Sequence, residues 1–288
     1  MQLGFTALGA HLPKGLKSLY TLHGDEALLQ QEAMDVIRQT ARSQGFTERS
    51  SYVVQGANFD WAEVMNAGQS MGLFGDKKII EIRIPTGKPG KEGSAALQKI
   101  AELAQNNDAV LTLVSLPRLD KATQSSAWFA ALDSFGVSIK IDPVERGALP
   151  QWIAQRLNMQ NQRVQAGAEG QYALQFFADR VEGNLLAAFQ EVQKLALLYP
   201  AGELSLVQIE SAVMNVARYD VFKLSDAVLA GKAERTQRML DGLQAEGEAA
   251  VLVHWALAED IRAMKRVVDS MNAGRPLQMA LRENRIWG

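Results

Sequence analysis

The connection His23-Gly24-Asp25-Glu26 is where phosphate chemistry would be sought first. It joins a short apolar run, Leu19 to His23, to a segment with helical spacing. A phosphate cradle there needs a loop of the form G-x-x-x-x-G-K-[ST]. Its backbone amides would point at the phosphate oxygens, and its lysine would neutralise them. The connection lacks that pattern and puts two carboxylates where phosphates would sit. The segment Gly87-Lys88-Pro89-Gly90-Lys91-Glu92-Gly93 is richer in glycine and lysine, but its spacing does not fit and Pro89 has no amide hydrogen to give. It reads as part of a solvated loop, Thr86 to Gly93. The run Ala109 to Val114 leads into Ser115-Leu116, not into the acidic pair that would hold magnesium. His11, His23 and His254 have no ligand spacing. With no cysteine, disulfides, thiolate zinc sites and thiol catalysis are excluded. There is no G-x-S-x-G, H-E-x-x-H or EF-hand loop. The expectation is a chain without catalytic site, cofactor or metal.

The bulk properties narrow the class. The 288 residues suffice for two or three domains, and 47% hydrophobic with 22% charged residues is a globular composition. No run approaches the roughly 18 apolar residues of a membrane span, and Met1 to Pro13 lacks the pattern of a signal peptide. No membrane and a cytoplasmic location are expected. The net charge is −2, whereas a chain that grips DNA alone is usually basic, so any DNA contact is expected to be local or shared with partners.

The elements that would position these residues alternate in the first half. Leu19–His23, Tyr52–Val54, Ile79–Ile84, Ala109–Val114 and Val137–Ile141 read as strands. Helices are expected from Asp25, with Leu29, Ala33, Val36, Ile37 and Ala41 as its face, and from Asp60, with Glu63 completing a capping-box-like pair. Two more are expected around Leu97, Ile100, Ala101 and Ala104 and around Trp128, Phe129 and Leu132. This rhythm predicts a parallel sheet covered by helices. After Pro143 the strand signals stop. Leu149–Leu157, Tyr172–Val181, Leu185–Leu198 and Leu206–Val216 read as helices, and the chain from Tyr219 is again helical, broken at Gly231 and Gly247. The expected division is 1–143, 144–215 and 216–288.

One helix does not close on itself. Trp61, Val64, Met65 and Gly68 share a stripe, but continuing the helix puts Leu73 about 120° from Trp61 and Phe74 about 140° to the other side. Gly72 and Gly75 weaken it further. Spacing alone leaves two readings: Met71, Leu73 and Phe74 form an exposed apolar tip for a partner, or the helix breaks at Gly72 and folds them into the core. Lys77 and Lys78 read as a solvated strand start, or as charges that steer toward an acidic partner.

Several segments, in order, resemble the delta-subunit family of the bacterial clamp loader. They are Tyr20-Thr21-Leu22-His23-Gly24-Asp25-Glu26-Ala27-Leu28-Leu29, Gln69-Ser70-Met71-Gly72-Leu73-Phe74-Gly75 and Lys121-Ala122-Thr123-Gln124-Ser125-Ser126-Ala127-Trp128-Phe129. Further along come Leu149-Pro150-Gln151-Trp152-Ile153-Ala154, Glu182-Gly183-Asn184-Leu185-Leu186-Ala187-Ala188, and Asp220-Val221-Phe222-Lys223-Leu224-Ser225-Asp226. The resemblance implies an α/β domain of the AAA+ ATPase type over 1–143 with a degenerate phosphate loop. An all-α lid over 144–215 and an all-α collar over 216–288 would follow. It implies binding and opening of the beta sliding clamp through Met71, Leu73 and Phe74, with Leu73 and Phe74 filling a pocket and Met71 as a wedge. It also implies partnership with gamma/tau and delta-prime subunits in a hetero-pentamer, contact with primed DNA through that complex, and a place in the replisome. Active relatives carry an arginine that reads the phosphates where Leu186 stands here, and a Ser-Arg-Cys finger that this chain lacks. Delta-family collars continue past the equivalent of Arg285-Ile286-Trp287, so an incomplete collar is expected. The alternatives are an active nucleotide-binding clamp-loader ATPase and a helical DNA-binding protein outside replication.

Overall fold

The computed structural model describes residues 1–56, 59–69, 77–213, 221–245, 247–284 and 286. The chain divides into two compact units, Met1–Val144 and Glu145–Gly288.

In the first unit the elements are β1 (Gln2–Gly4), α1 (Leu8–His11), β2 (Leu19–Gly24), α2 (Ala27–Ser43), β3 (Phe46–Val53) and α3 (Trp61–Gln69). Then come β4 (Lys77–Arg83), α4 (Gly90–Ala104), β5 (Val110–Leu116), α5 (Lys121–Gln124), α6 (Ala127–Phe135) and β6 (Val137–Ile141). The strands form one six-stranded sheet in the order β1-β6-β2-β5-β4-β3, and each pairing is parallel. Burial on both faces explains the continuous apolar runs of β2, β4 and β5. Alternation splits their side chains. Ile80, Ile82, Ile84, Val114 and Leu116 join Trp61, Val64, Leu97, Trp128, Phe129 and Leu132 in one core under α3, α4 and α6. Helix α2 packs against β2, β3 and β5.

The sequence reading is refined at several elements. The buried arc of α2 runs through Leu29, Ala33, Ile37, Ala41, Met34 and Arg38. Val36, expected on that face, lies at the margin of the arc and is exposed. Edge strand β1 carries no strand signal in its sequence, and β3 begins six residues before the expected Tyr52–Val54. Each has a single neighbour in the sheet, and β3 is mostly exposed and polar, Thr47-Glu48-Arg49-Ser50-Ser51, so no apolar pattern marks it. The loop expected over Thr86 to Gly93 is a helix from Gly90 onward. Gly93 is required there, because a Cβ would meet the Trp61 indole at 2.5 Å.

The second unit is helical: α7 (Leu149–Met159), α8 (Ala168–Val181), α9 (Leu185–Leu198), α10 (Leu206–Val213), α11 (Val221–Leu229), α12 (Ala233–Ala245), α13 (Ala250–Asn272) and α14 (Leu277–Glu283). It also holds one parallel pair, β7 (Gln162–Val164) with β8 (Gly202–Leu204), which the expectation of no strands after Pro143 did not include. Three-residue strands are too short to show alternation. Ser205 and Gln208 form a reciprocal cap at α10, with Gln208 N donating to Ser205 Oγ and Ser205 N to Gln208 Oε1. Gly231 and Gly247 stop α11 and α12 at positive φ, 66° and 76°, where Lys232 N donates to Ala227 O and Glu248 N to Leu243 O. Among the described residues no helix is long and apolar enough to cross a membrane.

Candidate functional site

Two places on the first unit carry the functional expectations, and topology puts them at opposite edges of the sheet. At the edge where the strands end lies the crevice that would receive phosphates. Strand β2 ends at Gly24 with φ +154°, paired to Ile141. A Cβ at Gly24 would collide with the Ile141 carbonyl oxygen, so only glycine fits. Asp25 does not sit within α2, which begins at Ala27. Its Oδ1 instead accepts a hydrogen bond from the Arg118 amide at 3.0 Å. Gln30, in the first turn of α2, donates through Nε2 to Leu116 O at 2.9 Å and to Leu22 O at 3.4 Å. The ends of β2 and β5 and the start of α2 are thus tied together by the protein's own side chains. The amide of Arg118 is engaged by a carboxylate, and further anionic oxygens would meet Asp25 and Glu26. His23, just before the turn, is buried against Phe129 in an edge-on contact with ring centroids 5.4 Å apart. Burial and the Lys140 charge lower its pKa, while Asp133 and Asp142 pull the other way.

The other place is at the edge where the strands begin. Parallel β3 and β4 require α3 to return the chain across the sheet, so the end of α3 and the start of β4 both lie at that edge. The start of α3 is fixed by Trp61, buried against Gly93 of α4 and edge-on to Phe59 at 5.1 Å. The Asp60 carboxylate caps the helix by accepting from the Ala62 amide at 2.9 Å, one position short of the expected Glu63 box. Toward the helix end, Gly68 lies close enough to Ile80 that a Cβ would sit 3.6 Å from its Cδ1. On the far side of the segment, Lys78 is not the solvated residue or steering charge expected. Its side chain is mostly buried, with Nζ donating to Ala67 O at 3.2 Å and 3.6 Å from Glu48. The Lys77 ammonium stands 5.3 Å from the Phe46 ring centre. Both lysines therefore fasten the start of β4. Beside the end of α3 lies a cavity of about 760 Å³ lined mainly by apolar groups, among them Val64, Met65, Ile80, Leu103 and Val110. Met71, Leu73 and Phe74 lie outside the described residues.

Sequence reasoning missed a buried ion pair behind this edge. Glu81 of β4, 5% exposed, accepts from Arg38 Nε at 2.6 Å and Nη2 at 2.9 Å, and Arg49 Nε lies 3.1 Å away. A glutamate inside Ile79-Ile80-Glu81-Ile82 was the available signal, since a charge in a buried strand needs a partner. Burial alone would lower the Arg38 pKa; hydrogen bonds and charges from Glu81 and Asp35 outweigh it and raise it.

In the second unit, α9 begins with Asn184 capping the Ala187 amide at 2.9 Å. Leu185 is buried and Leu186 is 52% exposed, so an apolar side chain stands in solvent where active relatives are expected to carry a phosphate-reading arginine.

A sequence model described as "DNA polymerase III, delta subunit" matches residues 20–141. DNA polymerase III subunit delta of Escherichia coli (strain K12) is 31% identical over 280 residues, which span 97% of this chain and 79% of that protein. The chain belongs to the DNA polymerase III delta-subunit family. The family member of Haemophilus influenzae is 32% identical over 261 residues, 88% of this chain and 72% of its own length. Among solved structures, the Bacillus subtilis DNA clamp loader delta protein superposes with a TM-score of 0.56 at 17% identity, covering 99% of this chain and 88% of its own. That likeness concerns the fold, a parallel sheet followed by a helical region, and the delta-family chain has both parts.

Proposed function

We propose that this delta-family chain is the clamp-opening arm of a bacterial clamp loader and contributes no catalysis of its own. It binds the beta sliding clamp through Met71, Leu73 and Phe74 and favours a ring with one interface sprung. It does so within a hetero-pentamer with gamma/tau and delta-prime subunits, in the cytoplasmic replisome, for loading onto primed DNA. Residues 144–215 serve as lid and 216–288 as collar. The observation that carries the reading is the anchoring of both flanks of residues 70–76. Trp61 and Gly93 fix α3, while Lys77 and Lys78 fix β4. A segment held at both ends on a rigid sheet can transmit force to whatever it grips. The non-catalytic part is supported by the crevice, where the Asp25 carboxylate accepts from the Arg118 amide and puts negative charge where phosphate oxygens would sit. Calorimetric titration of the chain with the cognate clamp tests the reading. Saturable binding to the clamp, with none to magnesium ATP under the same conditions, is expected; ATP binding without clamp binding would favour an active ATPase subunit instead.

A further inference from the structure

The second unit holds two groups of helices that pack mainly within themselves. Helices α7–α10 pack on one another, and α11–α14 do likewise. Val221, Leu224, Ala227, Met239, Leu243 and Ala256 form an apolar cluster drawn from α11, α12 and α13 alone. Between the groups run ion pairs. Arg235 Nη2 of α12 lies 2.8 Å from Glu182 Oε1, at the C-terminal end of α8. Arg238 Nη1 lies 3.5 Å from Asp179 Oδ2. The same two carboxylates are also held from the α7 side, by Arg146 at 3.0 Å from Asp179 and 3.6 Å from Glu182. Gln175 donates to Asp179 as well, and Glu234 stands 3.7 Å from Arg238.

The placement of these charges opposes the helices that carry them. Carboxylates near the C-terminus of a helix, and a guanidinium in a first turn, each face the like-signed end of the helix dipole. Asp179 and Glu182 end α8, and Arg235 lies in the first turn of α12. Arg180 in the last turn of α8 and Glu234 in the first turn of α12 suit their own helices, but Asp179, Glu182 and Arg235 do not, and these three gain only when the two ends meet. We propose that this cluster is a salt-releasable joint, which holds α11–α14 against α7–α10 through paired charges and lets them swing when the pairs are screened. Arg235 and Glu182, 21% and 15% exposed, hold the cluster at low ionic strength, while Arg146 and Arg238, 38% and 37% exposed, leave it within reach of added salt.

The chain has no cysteine, so spin labels can be placed freely. Leu197 of α9 and Val251 of α13 are 87% and 80% exposed and report across the joint as cysteine variants of the full chain. Val251 with Met279 of α14 serves as a pair within one group. Pulsed dipolar spectroscopy should give one narrow Leu197–Val251 distance at about 0.02 M salt and a broad distribution at about 0.5 M, where screening is short-ranged. D179N/E182Q should be broad at both salts. The Val251–Met279 distance should stay narrow throughout. Three results would overturn the joint: a wild-type distance insensitive to salt, a narrow D179N/E182Q, or a Val251–Met279 pair that broadens in parallel.

Discussion

Glu81 is the residue whose removal should be felt most. Its carboxylate is bidentate to Arg38 and shared with Arg49 in a buried strand. Substituting Glu81→Gln leaves the Arg38 guanidinium half-paired out of water, which costs about 3–5 kcal/mol when a buried pair is broken. Urea denaturation should show that loss, and a change under about 1 kcal/mol would mean the pair is not desolvated. His23 gives a pH dependence of known sign. Its folded pKa is lowered by burial and Lys140, while the unfolded chain titrates near about 6.5. Between those values the unfolded state binds more protons, so this contribution is present above about pH 6.5 and is lost as pH falls toward the folded pKa. The His23→Gln variant should lose less stability than the wild type between about pH 7.5 and 5.5. His11, whose pKa is also lowered, by burial and then Lys17 and Lys14, keeps part of the slope. An unchanged slope in the variant would show that His23 does not carry it. At this scale the sequence exposed the carboxylates of the Asp25-Glu26 turn, but not that Asp25 binds the Arg118 amide. That bond joins residues 93 positions apart, and no local pattern encodes it.

Helix α3 is the element on which the function turns. Gly93→Ala would press a methyl group against the Trp61 indole and Pro89. Overpacking of this kind typically costs about 1–3 kcal/mol, and because α3 directly precedes the proposed clamp-binding residues in the chain, clamp affinity should fall together with melting temperature. A variant with wild-type stability and affinity would show that α3 is not wedged by that contact. Two elements fall where their periodicity put them: β6 on Val137–Ile141, with apolar residues at every second position, and α9 on Leu185–Leu198, where buried Leu185, Ala188, Val192 and Leu195 recur at helical spacing. Elements defined by their neighbours were not legible. Edge strand β3 takes its shape from β4 through backbone pairing, and the β7–β8 pair from residues some 40 positions apart. The lysines at the start of β4 looked solvated because nothing in their order reveals Phe46, Glu48 or Ala67 beside them.

At the scale of the whole molecule, the proposal separates gripping from assembly. Deleting residues 217–288 should abolish association with other loader subunits and spare clamp binding; a fragment 1–216 that is folded by circular dichroism yet blind to the clamp would refute the partition. The family was legible from ordered short motifs spread along the chain, although the segment expected to act, Met71 with Leu73 and Phe74, lies outside the described residues. The most direct test of the account therefore substitutes that segment and measures stability and clamp affinity on one preparation. Two large apolar side chains that leave water on binding contribute about 1.5–3 kcal/mol each. L73A/F74A is accordingly predicted to weaken clamp binding by roughly two to four decades, at about 1.4 kcal/mol per decade, with its melting temperature nearly unchanged. A large drop in melting temperature, as cavities in a core would produce, or an unaltered clamp affinity would contradict the account.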